Sequence, residues 1–166
     1  MFEIGDKILY PMHGAGTIEA IEEKEILGEN KLYYILNIPG MRMKIMIPTT
    51  NVANLGVRQI VNPTTLENVL ENINLGDTDP VIYENQRYCR DLNKKKIVSG
   101  DIYKGTEIIR DLTRKSHKHK LGAEDTNMLN NARQIFLSEL MQVKGVAHEQ
   151  AVVLLDEILE SQLESI

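Results

Sequence analysis

The chain has 166 residues, a net charge of −5 and 42% hydrophobic residues, which suits one ordinary domain or two small ones around an aliphatic core. Its single cysteine, Cys89, excludes an intramolecular disulfide and a cysteine zinc cluster. Apolar runs stay below the roughly 18 residues of a membrane span, and the N-terminus lacks the pattern of a signal peptide, so we expect a cytoplasmic protein.

Residues 1–60 are predicted to form strands. Short runs rich in β-branched or aromatic residues are separated by turn-forming residues at 11–16, 27–30 and 39–40. The connection at 28–31 is of the hairpin type. Four or five strands in this length favour a small, strongly bent antiparallel barrel of the SH3 or Tudor kind. The runs are DKILYP, GTIEAIEEKEI, KLYYILNI and MKIMIP.

The glycine-rich stretch Gly14-Ala15-Gly16, next to His13, raises the possibility of a phosphate-binding loop. Such a loop leads into a helix, whose free N–H groups face the anion. Here the chain continues TIEAIEEKEI, an alternation typical of a strand, and no Gly-Lys-Ser/Thr follows. We therefore predict a turn between two strands in which glycine supplies a positive φ, with His13 as a turn residue.

The rest of the sequence indicates helices. Their boundaries follow from cap residues, from Gly and Pro, and from apolar residues at three- and four-residue steps. The pattern predicts an α+β protein of two domains, a small antiparallel β barrel and then an all-α domain. The predicted helices start at a cap on Asn62 or Thr64 and end at Gly76, then run from Pro80 to about Val98, Asp101 to about His119, Ala123 to Gly145, and His148 to about Leu163.

Charge is unevenly distributed along the chain. Eleven Lys or Arg and four Asp or Glu lie between Gln86 and Lys120, whereas Ala147–Ile166 has five acids and no base. This asymmetry indicates a basic surface on an acidic protein, suited to contact with a polyanion. The alternative is a solvated helix face, and charge alone leaves both open.

Motifs of catalysis and of metal binding are not evident in this sequence. It has no Gly-x-Ser-x-Gly and no His-Glu-x-x-His. His117 and His119 are two residues apart and do not share a helical face, which argues against a metal site. Cys89 lies between Arg87 and Arg90, which could lower its pKa, but a lone cysteine is more often inert. We therefore expect no enzymatic activity, no cofactor and no metal.

Three methionines surround the start of the last predicted long strand. Core packing is the default for methionine, yet exposed methionines also form adaptable partner surfaces. Because Met41 and Met43 share one strand face while Met46 takes the other, at least one of them should lie outside the core.

Four long segments resemble the CarD family of bacterial transcription factors, over nearly the whole chain from Phe2 to about Leu159. The resemblance implies a Tudor-like domain over residues 1–58 that docks on the β subunit of RNA polymerase. It also implies a helical domain over residues 62–166 that meets promoter DNA at the upstream edge of the melted bubble and stabilises the open complex. The segments are GDKILYPMHGAGTIEAIEEKEILGENKLYYIL, IPTTNVANLGVR, SGDIYKGTEIIRDLTRK and MLNNARQIFLSEL.

The first domain is also similar to the polymerase-binding module of the transcription-repair coupling factor. In the family, the polymerase contact lies on the second strand and on the strand that precedes Ile-Pro. Some relatives have an arginine where this chain has Met46, and this departure from the family favours an apolar contact there over a salt bridge. The polymerase-contacting residues implied are Lys24, Ile26, Lys44 and Met46.

The DNA-contacting part departs further from the family, which places a tryptophan wedge before an Arg-Tyr helix start. This chain has no tryptophan. An ungapped count back from Ser99-Gly100 puts the wedge position at Gln86. Anchoring on Arg87-Tyr88 instead puts it at Glu84, beside Tyr83. Neither alignment therefore places a tryptophan, or another aromatic residue, at the wedge position.

The spacing of the second predicted helix suggests which residues replace the wedge. Arg87, Arg90 and Lys94 follow three- and four-residue steps, and Tyr83 lies one turn earlier on the same stripe. Tyr83 is therefore the preferred stand-in, while Tyr88 points away and is expected in the core. The DNA-contacting residues expected are Tyr83, Gln86, Arg87, Arg90, Lys94, Lys95, Lys96, Arg114 and Lys115.

Two functional hypotheses follow. The first is a monomeric, non-enzymatic regulator that bridges the polymerase β subunit and promoter DNA, binds free DNA weakly and without sequence preference, and does not bind membranes. The alternative is a polymerase-binding adaptor whose helical domain contacts another protein rather than DNA. Binding to a promoter with and without polymerase, repeated across salt, distinguishes them.

Overall fold

The structure, a computed structural model, describes residues 1–161, so the predicted end of the last helix at Leu163 lies outside the described residues. Over residues 1–161 the chain forms a five-stranded antiparallel sheet and then six helices, which confirms the predicted α+β class. The strands are β1 (Lys7–Tyr10), β2 (Gly14–Ile26), β3 (Glu29–Asn37), β4 (Ile45–Pro48) and β5 (Arg58–Gln59). The helices are α1 (Pro63–Asn72), α2 (Val81–Glu84), α3 (Gln86–Ser99), α4 (Ile102–Lys118), α5 (Ala123–Lys144) and α6 (His148–Ser161).

The sheet has the strand order β4-β3-β2-β1-β5, and each neighbouring pair is antiparallel. One face of the sheet is apolar because alternate residues of the strands point to it. These side chains are at most 1% exposed and pack into a single cluster with Val57 and Ile38. They are Ile8, Ile18, Tyr34, Leu36 and Ile47.

Residues 11–13 form the turn between β1 and β2, and the glycine-rich stretch is the start of β2, paired with β1. The predicted strand–turn–strand order is therefore confirmed, but the glycines lie in the second strand rather than in the turn. Gly14 has a φ of +114°, a conformation that favours glycine. Gly14 also lies against α5, because a Cβ there would come within 2.9 Å of the Ser138 hydroxyl oxygen. His13 is exposed at this turn, with its ring 5.1 Å from that of Tyr10.

The helix predicted from Pro80 to Val98 is wrong, because the chain forms two helices there. Asn85 breaks the helix with φ −124° and ψ 94°. Its side chain accepts a hydrogen bond from the Tyr88 backbone N–H at 3.0 Å and so caps α3. Asparagine favours this role because its side chain competes with helical backbone hydrogen bonds. Because α3 begins only at Gln86, Tyr83 and Arg87 lie on different helices and do not form the continuous row of side chains that was expected.

Other boundaries differ by smaller amounts. Asn62 caps α1, as one of the two predicted caps, and accepts from the Thr65 backbone N–H at 2.7 Å. This helix ends at Asn72, before the predicted stop at Gly76. The last long strand, β4, begins at Ile45 rather than Met43, and the short β5 extends the β domain to Gln59.

The six helices pack around a second, aliphatic core. Helices α4 and α5 pack against each other in this core, through apolar residues at three- and four-residue spacing. Phe136 is the largest side chain in this cluster. The central residues are Ile108, Ile109, Leu112, Phe136 and Leu140, all at most 4% exposed.

Polar contacts join the two domains. Glu139 of α5 is 1% exposed and accepts hydrogen bonds from both terminal nitrogens of Arg58 at 2.7 and 2.8 Å. The same carboxylate accepts from the Val61 backbone N–H at 2.8 Å. At the preceding residue of α5, the Ala15 backbone N–H donates to the Ser138 hydroxyl at 2.8 Å. We call the Arg58–Glu139 pair and the Ala15–Ser138 bond the interdomain clamp.

Candidate partner-binding surfaces

Strand register places three of the residues implied by the family resemblance on one face of the sheet. Met46 pairs with Ile35, and Lys24 pairs with Lys31, so these four side chains point to the same side. The intervening residues Tyr34 and Ile47 point into the core. Ile26 follows Lys24 by two residues and therefore shares its side. We call this side, defined by Lys24, Ile26, Ile35 and Met46, the outer face.

The outer face is apolar near its centre and charged around it. Ile26 is 44% exposed and Met46 is 40% exposed. Lys24 pairs with Glu22 at 3.1 Å, and Lys44 pairs with Glu19 at 2.7 Å. The Glu19 carboxylate raises the pKa of Lys44. Exposed apolar side chains with a charged rim are typical of a protein interface.

The hairpin between β2 and β3 extends beyond the rest of the sheet. Leu27 and Gly28 form its two-residue turn with φ values of +54° and +78°, the geometry that matches strand twist. Leu27 is almost fully exposed, and all residues from Glu22 to Leu32 are exposed. The hairpin tip therefore presents unusual apolar surface next to the outer face.

A cationic surface follows α3. Arg87, Lys94 and Lys95 are exposed and form no ion pair within residues 1–161. Two other expected contacts on this helix are partly neutralised. Arg90 pairs with Glu124 at 2.7 Å, and Lys96 pairs with Glu107 at 2.9 Å. The positive surface of α3 is therefore smaller than the sequence suggested.

Two open grooves border this surface. The first, of about 400 Å³, lies between α3 and α5 and is lined by Arg90, Lys94, Asn127 and Asn131 among others. The second, of about 490 Å³, lies between α3 and the loop before β5 and is lined by Lys94, Lys95 and Asn54 among others. Lys94 belongs to both grooves and so stands on the ridge between them.

Arg114 and Lys115, expected at the DNA, are engaged inside the protein. Lys115 is 7% exposed, and its ammonium donates to Asp125 and to Gln86, each at 2.7 Å. Arg114 donates to the backbone carbonyls of residues 74 and 76 and holds the loop between α1 and α2. Lys115 is therefore buried and Arg114 partly buried, whereas the sequence placed both on an exposed basic surface; their contact with DNA stays a prediction. Gln86 remains exposed at the start of α3 with its amide oxygen bound to Lys115.

The two candidate wedge tyrosines differ from expectation in their exposure. Tyr83 lies on α2 and is partly buried, with the Lys118 ammonium 4.3 Å from its ring centroid. That ammonium covers one face of the ring. Tyr88, expected in the core, is 50% exposed on α3. The break at Asn85 explains both differences because it changes the phase of α3 relative to α2.

Cys89 is fully buried. Burial raises the pKa of its thiol, and the nearby Asp125 carboxylate raises it further, so the suggestion of a lowered pKa is wrong. Within residues 1–161, no group of three His, Cys, Asp or Glu is arranged to hold a metal ion. No helix among those residues has the length and apolar character that crossing a bilayer requires.

Because Cys89 is buried with a raised pKa, iodoacetamide at pH 8 should alkylate it at least about tenfold more slowly in the native protein than in urea. The thiolate is the reacting species. The raised pKa lowers the fraction of thiolate, and burial limits the access of iodoacetamide to the sulfur. Mass spectrometry over time measures the rate. Equal rates in the two conditions would contradict the buried position.

The interdomain clamp was missed by sequence analysis. One signal was present, since Glu139 follows Ile135 by four residues and so lies on a largely apolar side of α5. A buried carboxylate there requires a cationic partner. Arg58, its partner, lies 81 residues earlier, and sequence spacing gives no indication of that pairing.

The described residues thus form two domains, one with an exposed sheet face and one with a cationic helical surface, joined by polar contacts. Comparison with known proteins agrees with this division. The model of the CarD-like/TRCF RID domain matches residues 2–61, and that of the CarD C-terminal domain matches residues 68–156.

The chain belongs to the CarD family. It is 40% identical over 150 residues to YdeB of Bacillus subtilis (strain 168), described as a candidate transcription factor, with 90% of this chain and 97% of that protein covered. The family is one of transcription factors rather than a known class of enzyme, and membership is consistent with regulation associated with RNA polymerase.

Proposed function

We propose that this protein is a non-enzymatic transcription regulator that holds the β subunit of RNA polymerase with its sheet and promoter DNA with its helices. It stabilises the open complex by contacting DNA at the upstream edge of the bubble. The observation that supports this function most is the presence of two chemically different surfaces on domains that the clamp joins. Membership of the CarD family supports it independently.

The proposed polymerase contact is the outer face with the adjoining hairpin. Ile26 and Met46 supply apolar area that a partner can remove from water, at roughly 25 cal/mol per Å². Lys24 and Lys44 flank them and give the contact its orientation. Because both lysines already have glutamate neighbours, we assign the main affinity to the apolar residues rather than to the charges.

The proposed DNA contact uses Arg87, Lys94 and Lys95, with the two grooves on either side of Lys94. Lysine and arginine bind phosphates and read no bases, so binding to free duplex DNA should be weak and strongly reduced by salt. Tyr88 replaces Tyr83 as the candidate wedge because it is the more exposed ring. A tyrosine can stack on an unpaired base, although it buries less area than a tryptophan.

A Lys24→Glu substitution should weaken binding of the full chain to the isolated β subunit by about tenfold, because it places a carboxylate on the outer face beside Glu22. The matched control is Glu23→Lys, because Glu23 precedes Lys24 and points to the opposite face of β2. Binding by surface plasmon resonance should separate the two variants. If Glu23→Lys has the larger effect, the opposite side of the hairpin is the contact.

One observation favours the alternative of a protein-binding helical domain. Of the cations expected on α3, Arg90 and Lys96 pair with carboxylates. Salt dependence tests this alternative. DNA contact is supported if the affinity for a polymerase–promoter complex falls steeply with salt while the affinity for polymerase alone does not. Equal salt dependence of the two affinities supports the adaptor.

A further inference from the structure

Three methionines are exposed within six residues at the edge of the outer face. Met41 is 40% exposed, Met43 is 77% exposed and Met46 is 40% exposed. The expectation that at least one would lie outside the core is thus confirmed for all three. Large apolar side chains exposed so close together need a reason other than core packing.

Their position relates them to the proposed polymerase contact. Met46 lies on the outer face opposite Ile35. Met43 is three residues earlier, so its Cα lies within roughly 11 Å of that of Met46 even if the chain is fully extended. Met41 begins the same segment, with its backbone N–H donating to the Ile38 carbonyl at 3.1 Å. The segment from Met41 to Met46 therefore leads directly into the outer face.

Exposed thioethers have a chemistry that the other apolar residues of this face lack. Hydrogen peroxide transfers one of its oxygen atoms to the methionine sulfur, and a sulfoxide forms. The O–O bond breaks, and the second oxygen leaves as water. The sulfur loses two electrons and the peroxide gains them. The product is a strong hydrogen-bond acceptor, and burying it without a donor is costly.

We propose that Met41, Met43 and Met46 form an oxidation site that controls docking of the sheet on RNA polymerase. Oxidation converts apolar contact area into polar groups that must lose water when the partner binds. Docking weakens while the fold persists, because none of the three side chains is part of either core. Reduction by methionine sulfoxide reductases restores the surface. This inference rests on the proposed function of the outer face.

Neighbouring residues do not provide the same sensitivity. Ile26 adds exposed apolar area to the outer face but does not react with peroxide. The single thiol, Cys89, is protected from peroxide because it is fully buried with a raised pKa. Loss of docking after mild oxidation therefore points to methionines rather than to the thiol.

The test uses the full chain treated with hydrogen peroxide under native conditions. Peptide mass spectrometry measures sulfoxide at each methionine, and surface plasmon resonance measures affinity for the β subunit. The wild type should lose about tenfold or more in affinity as Met41, Met43 and Met46 are oxidised, and sulfoxide reductases should restore it. Circular dichroism confirms that the fold persists.

The control variant is Met41→Leu/Met43→Leu/Met46→Leu, which keeps apolar volume and removes the reactive sulfur. It retains the exposed Met12, so general oxidation still occurs. Peroxide should leave its affinity unchanged. If it loses affinity as the wild type does, or if fully oxidised wild type binds normally, this inference is wrong. If the untreated wild type fails to bind the β subunit, the proposed function is wrong and the inference fails with it.

Discussion

Glu139→Ala should lower the free energy of unfolding by about 3 kcal/mol, because it breaks a largely buried ion pair. Glu139 is 1% exposed, and its carboxylate accepts from Arg58 twice and from the Val61 backbone N–H. Alanine would leave these donors without their acceptor in a place that water barely reaches. The Arg58 side chain is 25% exposed, which limits the loss to the lower end of values for broken buried pairs.

Urea unfolding followed by circular dichroism measures this loss. The matched control is Glu157→Ala, which removes an exposed glutamate from α6 and should change stability by less than about 0.5 kcal/mol. Glu139→Gln is a useful second variant, because the amide keeps one acceptor but loses the charge. Its loss should lie between those of the other two. Wild-type stability in Glu139→Ala would show that the clamp contributes little.

The clamp matters for function because it fixes how the two surfaces are oriented. When one domain binds its partner, the other is held near its own partner at a high effective concentration, provided that the geometry permits both contacts. Gly56 and Gly100 contribute to this, since a Cβ on Gly100 would overlap the Gly56 carbonyl oxygen. A loosened clamp should therefore reduce binding to the polymerase–promoter complex more than binding to either partner alone.

The elements that sequence predicted well depend on local patterns. The α5 helix over Ala123–Lys144 has apolar residues at helical spacing, and its observed C-cap is Gly145 with a φ of +66°. Strand alternation likewise indicated that at least one of Met41, Met43 and Met46 lies outside the core, and all three are exposed. Such features arise from residues a few positions apart, so a single sequence contains them.

The features that sequence missed depend on competition or on distance. The sequence pattern around Asn85 is compatible with a helix interior. Its side chain instead accepts a hydrogen bond from the Tyr88 backbone N–H and caps α3, which ends the preceding helix. Lys115 fits a basic surface by composition, and only the fold brings Asp125 to it. The Ala15–Ser138 contact joins residues 123 positions apart. For these reasons the residues that we assign to the DNA surface differ from those expected. Tyr83, Arg114 and Lys115 are replaced by Tyr88 and the exposed cations of α3.

This revised surface leads to the second large effect. The triple substitution Arg87→Ala/Lys94→Ala/Lys95→Ala should shorten the open-complex lifetime by about tenfold at low salt, or about 0.5 kcal/mol for each lost phosphate contact. It should also reduce the salt dependence, because each phosphate contact contributes roughly 0.9 to the slope of log affinity against log salt. Lys104→Ala, which removes an exposed lysine of α4, is the control.

Tyr88→Ala separates the wedge from the phosphate contacts. Loss of a stacked ring should shorten the lifetime by about fivefold or more, since base–aromatic stacking contributes roughly 1–3 kcal/mol. It should leave the salt slope unchanged, because no counterion is released by stacking. Tyr83→Ala should have the smaller effect on lifetime, since Lys118 covers one face of that ring. If the triple variant matches wild type at low salt while polymerase binding is retained, the helical domain does not act through this surface, and the protein-binding alternative becomes the better explanation.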